Sequence, residues 1–195
     1  MTPQMVLAST SSGRRELLSR LGLPFAVCRP PFDEDTVAGL PPPELALRRA
    51  VGKARSVASQ RPTCVVVGAD QVATVDGVVL GKPGTVSRAE EQLQRMAGRW
   101  VEFHTGVAVV WNGQERSRVE LFEVRLRPLS QGAIRKYVAA EQPLQCAGAF
   151  QIEGLGIALM EELRGGDYTS LIGLPLIALT SLLGELGLDV LKASM

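Results

Sequence analysis

The chain has 195 residues, 46% of them hydrophobic, and its 21 Lys and Arg side chains nearly balance 20 Asp and Glu, which leaves a net charge of +1. A chain of this length buries one continuous core, so we expect a single domain over residues 1–195. The balanced charge excludes an overall field for a nucleic-acid backbone or an anionic membrane surface. Any phosphate binding must therefore come from local clusters.

The start of the chain and the cysteines bear on location. The opening residues MTPQMVLAST lack the basic start and long apolar run of a secretory signal, and no stretch reaches the roughly 18 apolar residues of a bilayer span. Cys28, Cys64 and Cys146 are odd in number and far apart, which fits neither a disulfide framework nor a pair-spaced zinc site. We expect a cytoplasmic protein with three reduced thiols.

The first third of the chain alternates strand and helix signals. A buried strand is predicted at 5–9, and leucines at helical spacing predict a helix over 14–21. A short strand at 25–28 then leads into the Pro-rich, acidic segment at 29–43, which we expect to be a loop. Pro43 suits the first residue of a long helix through Ser59.

The middle of the chain predicts the centre of a sheet. The run CVVVGAD at 64–70 is typical of a buried strand that delivers Asp70 at its C-terminal end. Asp76-Gly77 predicts a two-residue hairpin turn ahead of Lys82. The next segments predict a helix over 87–96 and long strands over 100–111 and 119–126.

The last third predicts a helix capped by Ser130, a strand-rich segment over 146–163 and an apolar helix over 173–188 that serves the core or an interface. Strands and helices alternate without a repeat or a linker. The sequence therefore predicts an α/β fold around a mixed sheet.

A polar turn opens the first predicted helix with Ser11, Ser12, Gly13, Arg14 and Arg15. Two arginines at a helix N-terminus oppose the helix dipole unless an anion accompanies them, and guanidinium groups bind phosphate oxygens in bidentate geometry. The turn is either a phosphate-binding site or a capped helix end with solvated arginines.

Carboxylates form a second candidate group. Asp33, Glu34 and Asp35 lie on the Pro-rich loop, and Asp70 ends a predicted strand. Such oxygens suit a Mg²⁺ or Mn²⁺ site, and Asp70 could take the proton of an attacking water. The alternative for the loop acids is a solvated turn.

Single cations and the one histidine complete the candidates. Lys53 and Lys82 could stabilise charge on a transferring phosphate, or they could be ordinary surface lysines. His104 has no nearby Cys or His in the sequence with which to form a metal site, so we interpret it as structural.

The sequence resembles one family closely, the Maf nucleotide pyrophosphatases. The matching blocks follow the family's order along nearly the whole chain: LASTSSGRRELLSRLGLPF, DE at 33–34, the helix with Lys53, GADQV, GKP at 81–83, HTGVAVV, AGAFQIEGLG and IGLPL. Phosphate-loop, Gly-x-Gly-x-x-Gly and Gly-x-Ser-x-Gly motifs are absent from the sequence.

The resemblance implies an elongated α/β fold similar to the inosine triphosphate pyrophosphatases, with a mixed sheet and flanking helices in two lobes around a central cleft, a divalent cation and a homodimer. It implies that Asp70 is the catalytic base and that Glu34 is linked to the metal. The phosphate contacts that it implies are Ser11, Arg14, Arg15, Lys53 and Lys82.

Two subgroups of the family differ in their substrates. The subgroup acting on dTTP and UTP has Thr after the catalytic Asp and Gln before the glycine of the C-terminal block, where this chain has Gln71 and Glu153. The chain is more similar to the 7-methyl-GTP subgroup. A carboxylate at 153 could accept from N1–H and the amine of guanine and favours a positively charged ring. Alternatively, Glu153 is a peripheral acid.

The chain also departs from the family at the first turn. Ser12 stands where proline is usual, and Gly13 lies at a position associated with substrate choice but has no side chain. The hypothesis is hydrolysis of 7-methyl-GTP between its α and β phosphates. The alternatives are a dTTP or UTP pyrophosphatase, or a nucleotide-sensing regulator of cell division without essential turnover.

Overall fold

The computed structural model describes residues 3–34 and 39–193, so Asp35 of the acidic loop lies outside the described residues. In chain order the strands are β1 Met5–Leu7, β2 Phe25–Val27, β3 Val65–Val75, β4 Val78–Leu80, β5 Trp100–Trp111, β6 Gln114–Leu126 and β7 Met160–Arg164. The helices are α1 Ser12–Ser19, α2 Pro42–Ala58, α3 Val86–Met96, α4 Gln131–Glu141, α5 Thr169–Ile172, α6 Leu176–Glu185 and α7 Val190–Ala193.

Among the described residues the strands form one seven-stranded mixed sheet in the order β2-β1-β3-β5-β6-β7, with β4 paired to β3. Strand β1 runs parallel to both β2 and β3, whereas β4 and β7 pair antiparallel with β3 and β6. The α/β fold with a mixed sheet is therefore confirmed.

The chain divides into two compact units. The Asp70 unit contains the residues up to Asp70, Thr105–Glu120 and the chain from Asp167 onward; the Glu153 unit contains Gln71–His104 and Leu121–Gly166. Strands β3, β5 and β6 each contribute residues to both units. A single domain over 1–195 stays a prediction.

The Asp70 unit has helices on both faces of its strands. Because side chains alternate along a strand, Val65 and Val67 of β3 pack with α1 and α6, whereas Val66 packs with α2 on the opposite face. Four side chains of α6 are buried, so the apolar C-terminal helix belongs to the core: Ala178, Leu179, Leu182 and Leu183.

The Glu153 unit packs α3 against α4. Leu93 and Met96 are buried on α3, and Ile134 and Tyr137 are buried on α4. The cap prediction for α4 is confirmed, since the Ser130 hydroxyl accepts a hydrogen bond from the backbone N–H of Ala133 at 3.2 Å.

Several boundaries differ from the sequence predictions. Strand β3 continues five residues beyond Asp70, so the acid lies within the strand and not at its end. The predicted strand at 64–70 and the residues that lead to the Asp76-Gly77 turn therefore form one element, β3. The predicted turn at Asp76-Gly77 is confirmed, with φ values of 50° and 74° that match a two-residue hairpin loop. Helix α2 begins at Pro42, one residue earlier than expected.

The strand-rich prediction for 146–163 is wrong. Only the last residues of this segment belong to a strand, β7, and most of the rest forms short 3₁₀ turns at Ala147–Ala149 and Leu155–Leu159. Gly148 and Ala149 have φ values of 67° and 53°, in the left-handed region that a strand cannot contain.

The three cysteines are free thiols, as expected. Across the described ranges, none of the helices has both the length and the apolar composition needed to cross a membrane.

Candidate functional site

A close approach of helix to sheet builds the site in the Asp70 unit. Gly68 lies two residues before Asp70, and a Cβ there would clash with the carbonyl oxygen of Ala50 and lie 2.7 Å from the backbone nitrogen of Ala54. Gly106 of β5 contacts the backbone of Ala46 in the same way. Because both positions lack a side chain, α2 can lie directly on the strands and present its Lys53 side to Asp70.

Asp70 and Lys53 form a buried ion pair at the centre of the site. The Lys53 Nζ atom donates to Asp70 Oδ1 at 2.6 Å, and the two residues are only 8% and 6% exposed. Charges this buried persist because each compensates the other. Lys53 is therefore no ordinary surface lysine.

Glu34 joins this pair from the Pro-rich loop. Its Oε1 atom lies 2.7 Å from Lys53 Nζ, so one ammonium group holds the carboxylates of both Glu34 and Asp70. The ring of Phe32 lies against Gly52, where any Cβ would clash with it. This contact fixes the loop against α2. It lies two residues before Glu34 in the loop and one residue before Lys53 in the helix.

Arg49 is a site residue that the sequence predictions missed. Its guanidinium lies 3.7 Å from Glu34 Oε2 and 3.8 Å from Asp70 Oδ2. Arg49 lies one turn before Lys53, and an i, i+4 pair of cations on one helix face was the signal that could have identified it.

The polar turn before α1 lies in the same unit. Ser11 is the N-cap residue, and its hydroxyl accepts from the backbone N–H of Arg14 at 3.4 Å. The Arg14 side chain folds inward, where its Nε donates to the Gly173 carbonyl at 2.9 Å and one terminal nitrogen lies 3.4 Å from Ser9 Oγ.

Burial lowers the pKa of the Arg14 guanidinium, and the negative charges of Asp70 and Glu34 oppose that shift. These opposing effects show that Arg14 lies within electrostatic range of both carboxylates. Gly13 is half-buried, and Arg15 is exposed. The structure therefore brings together Arg14, Lys53, Glu34 and Asp70, while Arg15 extends from the same turn towards solvent.

Three candidates lie in the Glu153 unit. Gln71 follows Asp70 on β3 and is half-buried, Lys82 follows β4 and is exposed, and Glu153 lies exposed between two 3₁₀ turns. Lys82 and Glu153 both act on the Cys146 thiol: burial and Glu153 raise its pKa, and Lys82 lowers it. Both charges therefore lie near Cys146.

The segment that carries Glu153 is anchored to α4. The Tyr137 hydroxyl accepts from the backbone N–H of Gln151 at 3.1 Å, and Glu141 accepts from the N–H of Leu155 at 3.0 Å. Burial raises the pKa of Tyr137, so its hydroxyl stays protonated. These two bonds hold the backbone on either side of Glu153.

His104 lies in the Glu153 unit, where its Nε2 is 3.1 Å from Glu102 Oε2. The same carboxylate oxygen accepts from the Thr74 hydroxyl at 3.1 Å. His104 is buried and has a partner, so its contacts suit the structural interpretation of this residue.

The carboxylates of Glu34 and Asp70 are the candidate ligands for a divalent metal. No cluster of three or more His, Cys, Asp or Glu side chains suited to a metal occurs in residues 3–34 and 39–193. Mg²⁺ nevertheless needs only one or two carboxylates when waters and substrate phosphates complete its shell. Asp70 Oδ2 is buried and accepts no hydrogen bond from the described residues, so it fits such a ligand.

Helix α2 lies on the strands of a mixed sheet with the buried pair of Asp70 and Lys53 between them, so the chain is an α/β protein with a buried charged site. The family model described as Maf-like protein matches residues 4–186. The chain belongs to the Maf-like protein family, which confirms the resemblance seen in the sequence.

Two similar proteins come from Bordetella and Xanthomonas. The 7-methyl-GTP pyrophosphatase of Bordetella pertussis (strain Tohama I) is 51% identical over 190 residues, which cover 97% of this chain and 95% of that protein. The 7-methyl-GTP pyrophosphatase of Xanthomonas campestris pv. campestris (strain 8004) is 48% identical over 191 residues, which cover 97% of this chain and all of that protein.

Among solved structures, the Staphylococcus aureus Ham1 protein is similar with a TM-score of 0.47 and 14% sequence identity. The match covers 63% of this chain and 71% of that chain.

Proposed function

We propose that this protein hydrolyses 7-methyl-GTP between its α and β phosphates, giving 7-methyl-GMP and pyrophosphate. Membership of the Maf-like family and about half of all positions identical to two proteins named 7-methyl-GTP pyrophosphatase support this function. The role is removal of a modified nucleotide before it enters nucleic acid.

The arrangement of the Asp70 carboxylate supports the reaction most directly. One oxygen, Oδ1, is fixed by Lys53 at 2.6 Å, while the buried Oδ2 accepts no hydrogen bond from the described residues. A carboxylate that is held in position and retains an open acceptor suits a general base. The Lys53 ammonium group compensates the charge of this carboxylate by direct contact.

In the proposed reaction, the oxygen of a water molecule bonds to the α phosphorus, and the bond from that phosphorus to the bridging oxygen of the β phosphate breaks. Pyrophosphate leaves with the electron pair of that bond, and Asp70 takes the proton of the water. Ser11, Arg14, Arg15, Lys53 and Lys82 are the proposed phosphate contacts, since cations and turn N–H groups stabilise the charge that develops on the phosphates.

Glu34 and Asp70 are the residues proposed to hold Mg²⁺ or Mn²⁺. Such an ion, when bound, would polarise the attacking water and a phosphate oxygen. Glu34 is half-exposed, so one side of this pair faces solvent from which an ion can enter.

Base recognition is assigned to Gln71 and Glu153. A glutamate carboxylate can accept from both N1–H and the exocyclic amine of guanine, and it favours the positive charge of a 7-methylated ring. Gly13 leaves room at the first turn without a stacking side chain, so selectivity rests on Gln71 and Glu153.

We include in this proposal a cytoplasmic location and a homodimer. Light scattering of the purified protein tests the homodimer.

The deciding experiment incubates the purified protein with Mg²⁺ or Mn²⁺ and a panel of triphosphates: 7-methyl-GTP, GTP, dTTP and UTP. We expect pyrophosphate to be released fastest from 7-methyl-GTP. Preference for dTTP or UTP would move the chain to the other substrate subgroup, and release of orthophosphate alone would move the cut to the β–γ bond. No turnover of any triphosphate would reject the enzymatic proposal in favour of a nucleotide-sensing role.

A further inference from the structure

The side chains of Lys53, Asp70, Arg49 and Glu34 form a closed ring of ion pairs at the candidate site. Lys53 Nζ bridges Asp70 Oδ1 and Glu34 Oε1, and the Arg49 guanidinium bridges the other oxygens, Asp70 Oδ2 and Glu34 Oε2. Each carboxylate therefore has one cation on each side. The two cations extend from the same face of α2, one turn apart.

The two bridges differ in strength. The Lys53 distances of 2.6 and 2.7 Å are those of charge-assisted hydrogen bonds, whereas the Arg49 distances of 3.7 and 3.8 Å exceed hydrogen-bond length. Arg49 Nε and Asp70 Oδ2 are both buried and have no hydrogen-bond partner among the residues that the structure describes. The Arg49 side of the ring is held by charge alone.

This weaker side offers the ligands that a divalent cation prefers. Two carboxylate oxygens from different residues face it, and one of them, Asp70 Oδ2, is buried and accepts no hydrogen bond from residues 3–34 and 39–193. Hard cations take such oxygens directly, which a guanidinium at this distance does not. A metal and Arg49 therefore compete for one position.

We propose that Arg49 occupies the position between Asp70 and Glu34 where a divalent metal binds, and that it must move away when the metal enters. Arg49 thereby sets the metal concentration at which the site fills. The inference rests on the metal role proposed above for the two carboxylates, and it is independent of which nucleotide is hydrolysed.

Electrostatics gives the direction of the effect. A positive charge about 4 Å from two carboxylates repels an incoming divalent cation and compensates the charge that would attract it. Removing that charge leaves Lys53 as the only cation bridging the two carboxylates among the described residues. Metal affinity then rises, whereas a residue that merely supports the carboxylates would lower it when removed.

The test is Mn²⁺ binding to the full-length protein without nucleotide, measured by titration calorimetry and by the loss of the free-ion EPR signal. We expect Arg49→Leu and Arg49→Gln to bind Mn²⁺ about tenfold more tightly than the unmodified protein. Arg49→Lys, which keeps the charge, should stay within about threefold of it.

The adjacent arginine supplies the matched control. Arg48 extends from the same helix, its side chain is 62% exposed, and it pairs with Glu44 at 3.6 Å. Arg48→Leu removes the same charge and should leave the Mn²⁺ affinity within about twofold of the unmodified protein, since exposed charges are screened. An equal gain in Arg48→Leu would assign the effect to net charge and overturn the proposal.

Unchanged or weaker Mn²⁺ binding in the two neutral Arg49 variants overturns the inference, provided that circular dichroism shows at least one of them folded. The Arg49→Gln variant is included because its polar side chain disturbs folding less than leucine would at this charged site. Pyrophosphate release is measured separately. If Mn²⁺ binding tightens while no triphosphate is cleaved, the competition stands and the proposed enzymatic function fails.

Discussion

Two pairs of candidate residues, one pair in each unit, are held in opposite ways. In the Asp70 unit, Lys53 and Asp70 are buried and ion-paired on regular elements, a helix and a strand. In the Glu153 unit, Lys82 and Glu153 are exposed and lie outside the strands and helices, on a loop and between 3₁₀ turns.

This difference matches the two proposed roles, which are bond cleavage at Asp70 and Lys53 and base recognition at Glu153. Bond cleavage needs charges fixed before the substrate arrives, because reorganising them during the reaction raises the barrier. Base recognition needs groups that water solvates until a ligand replaces that water, so exposure in the free protein costs little. The comparison predicts that changes at Asp70 and its contacts reduce rate and stability, and that a change at Glu153 alters selectivity.

The largest effect is expected for Asp70→Asn. The amide keeps the shape of the side chain but cannot take a proton from water, so pyrophosphate release should fall by about 100-fold to 10,000-fold. Asp189→Asn, at an exposed carboxylate paired with Lys192, is the control and should retain full rate. Near-normal turnover in Asp70→Asn would show that Asp70 is not the general base. It would also show that the buried pair of Asp70 and Lys53 does not determine the rate.

Gly68→Ala tests whether helix α2 must lie directly on β3. The new methyl group would meet the backbone of Ala50 and Ala54, so the free energy of unfolding in urea should fall by about 1–3 kcal/mol and turnover should fall with it. Gly184→Ala is the control, since a Cβ there has open space near the end of α6. That variant should be as stable as the unmodified protein or slightly more stable.

Glu153→Gln tests the selectivity side of the comparison. Loss of the charge should change the ratio of kcat/KM for 7-methyl-GTP over UTP by about tenfold, while the fold stays intact because Glu153 is exposed. Glu161→Gln, at a surface ion pair with Arg125, should leave the ratio unchanged. An unaltered ratio in Glu153→Gln would show that the base is recognised elsewhere.

The smallest effect is a pH dependence of stability. Burial and Glu153 raise the pKa of the Cys146 thiol above its ordinary value of 9.0, so below that pH the thiol is protonated in both the folded and the unfolded chain. Above it, the unfolded thiol ionises first and stability is lost as pH rises. The free energy of unfolding should fall more between about pH 8 and pH 10 in the unmodified protein than in Cys146→Ser.

Equal slopes in the two proteins would show that Glu153 and burial do not act on this thiol. The same measurement in Glu153→Gln sharpens the point, because removing the nearby negative charge should reduce the slope. This outcome would place Glu153 near Cys146 independently of any effect on selectivity.

Arg49 and the segment over 146–163 show where sequence reasoning reached its limit. The i, i+4 spacing of Arg49 and Lys53 was visible, but only the packing of α2 shows which face of the helix meets the acids. The 146–163 segment was predicted to be strand-rich, yet the left-handed backbone at Gly148 and Ala149 ends any extended run. Local preference cannot reveal either outcome, because both depend on contacts distant in the sequence.

The sequence by itself determined the family, the order and type of most elements, and the identity of Glu34, Lys53 and Asp70 as candidates, because periodicity, caps and turn residues act over a few positions. Tertiary structure decided that one ammonium group holds both carboxylates and that Arg49 closes the ring on the other side. The physical reason is the contact of α2 with Gly68 and Gly106, which only the folded sheet can bring about.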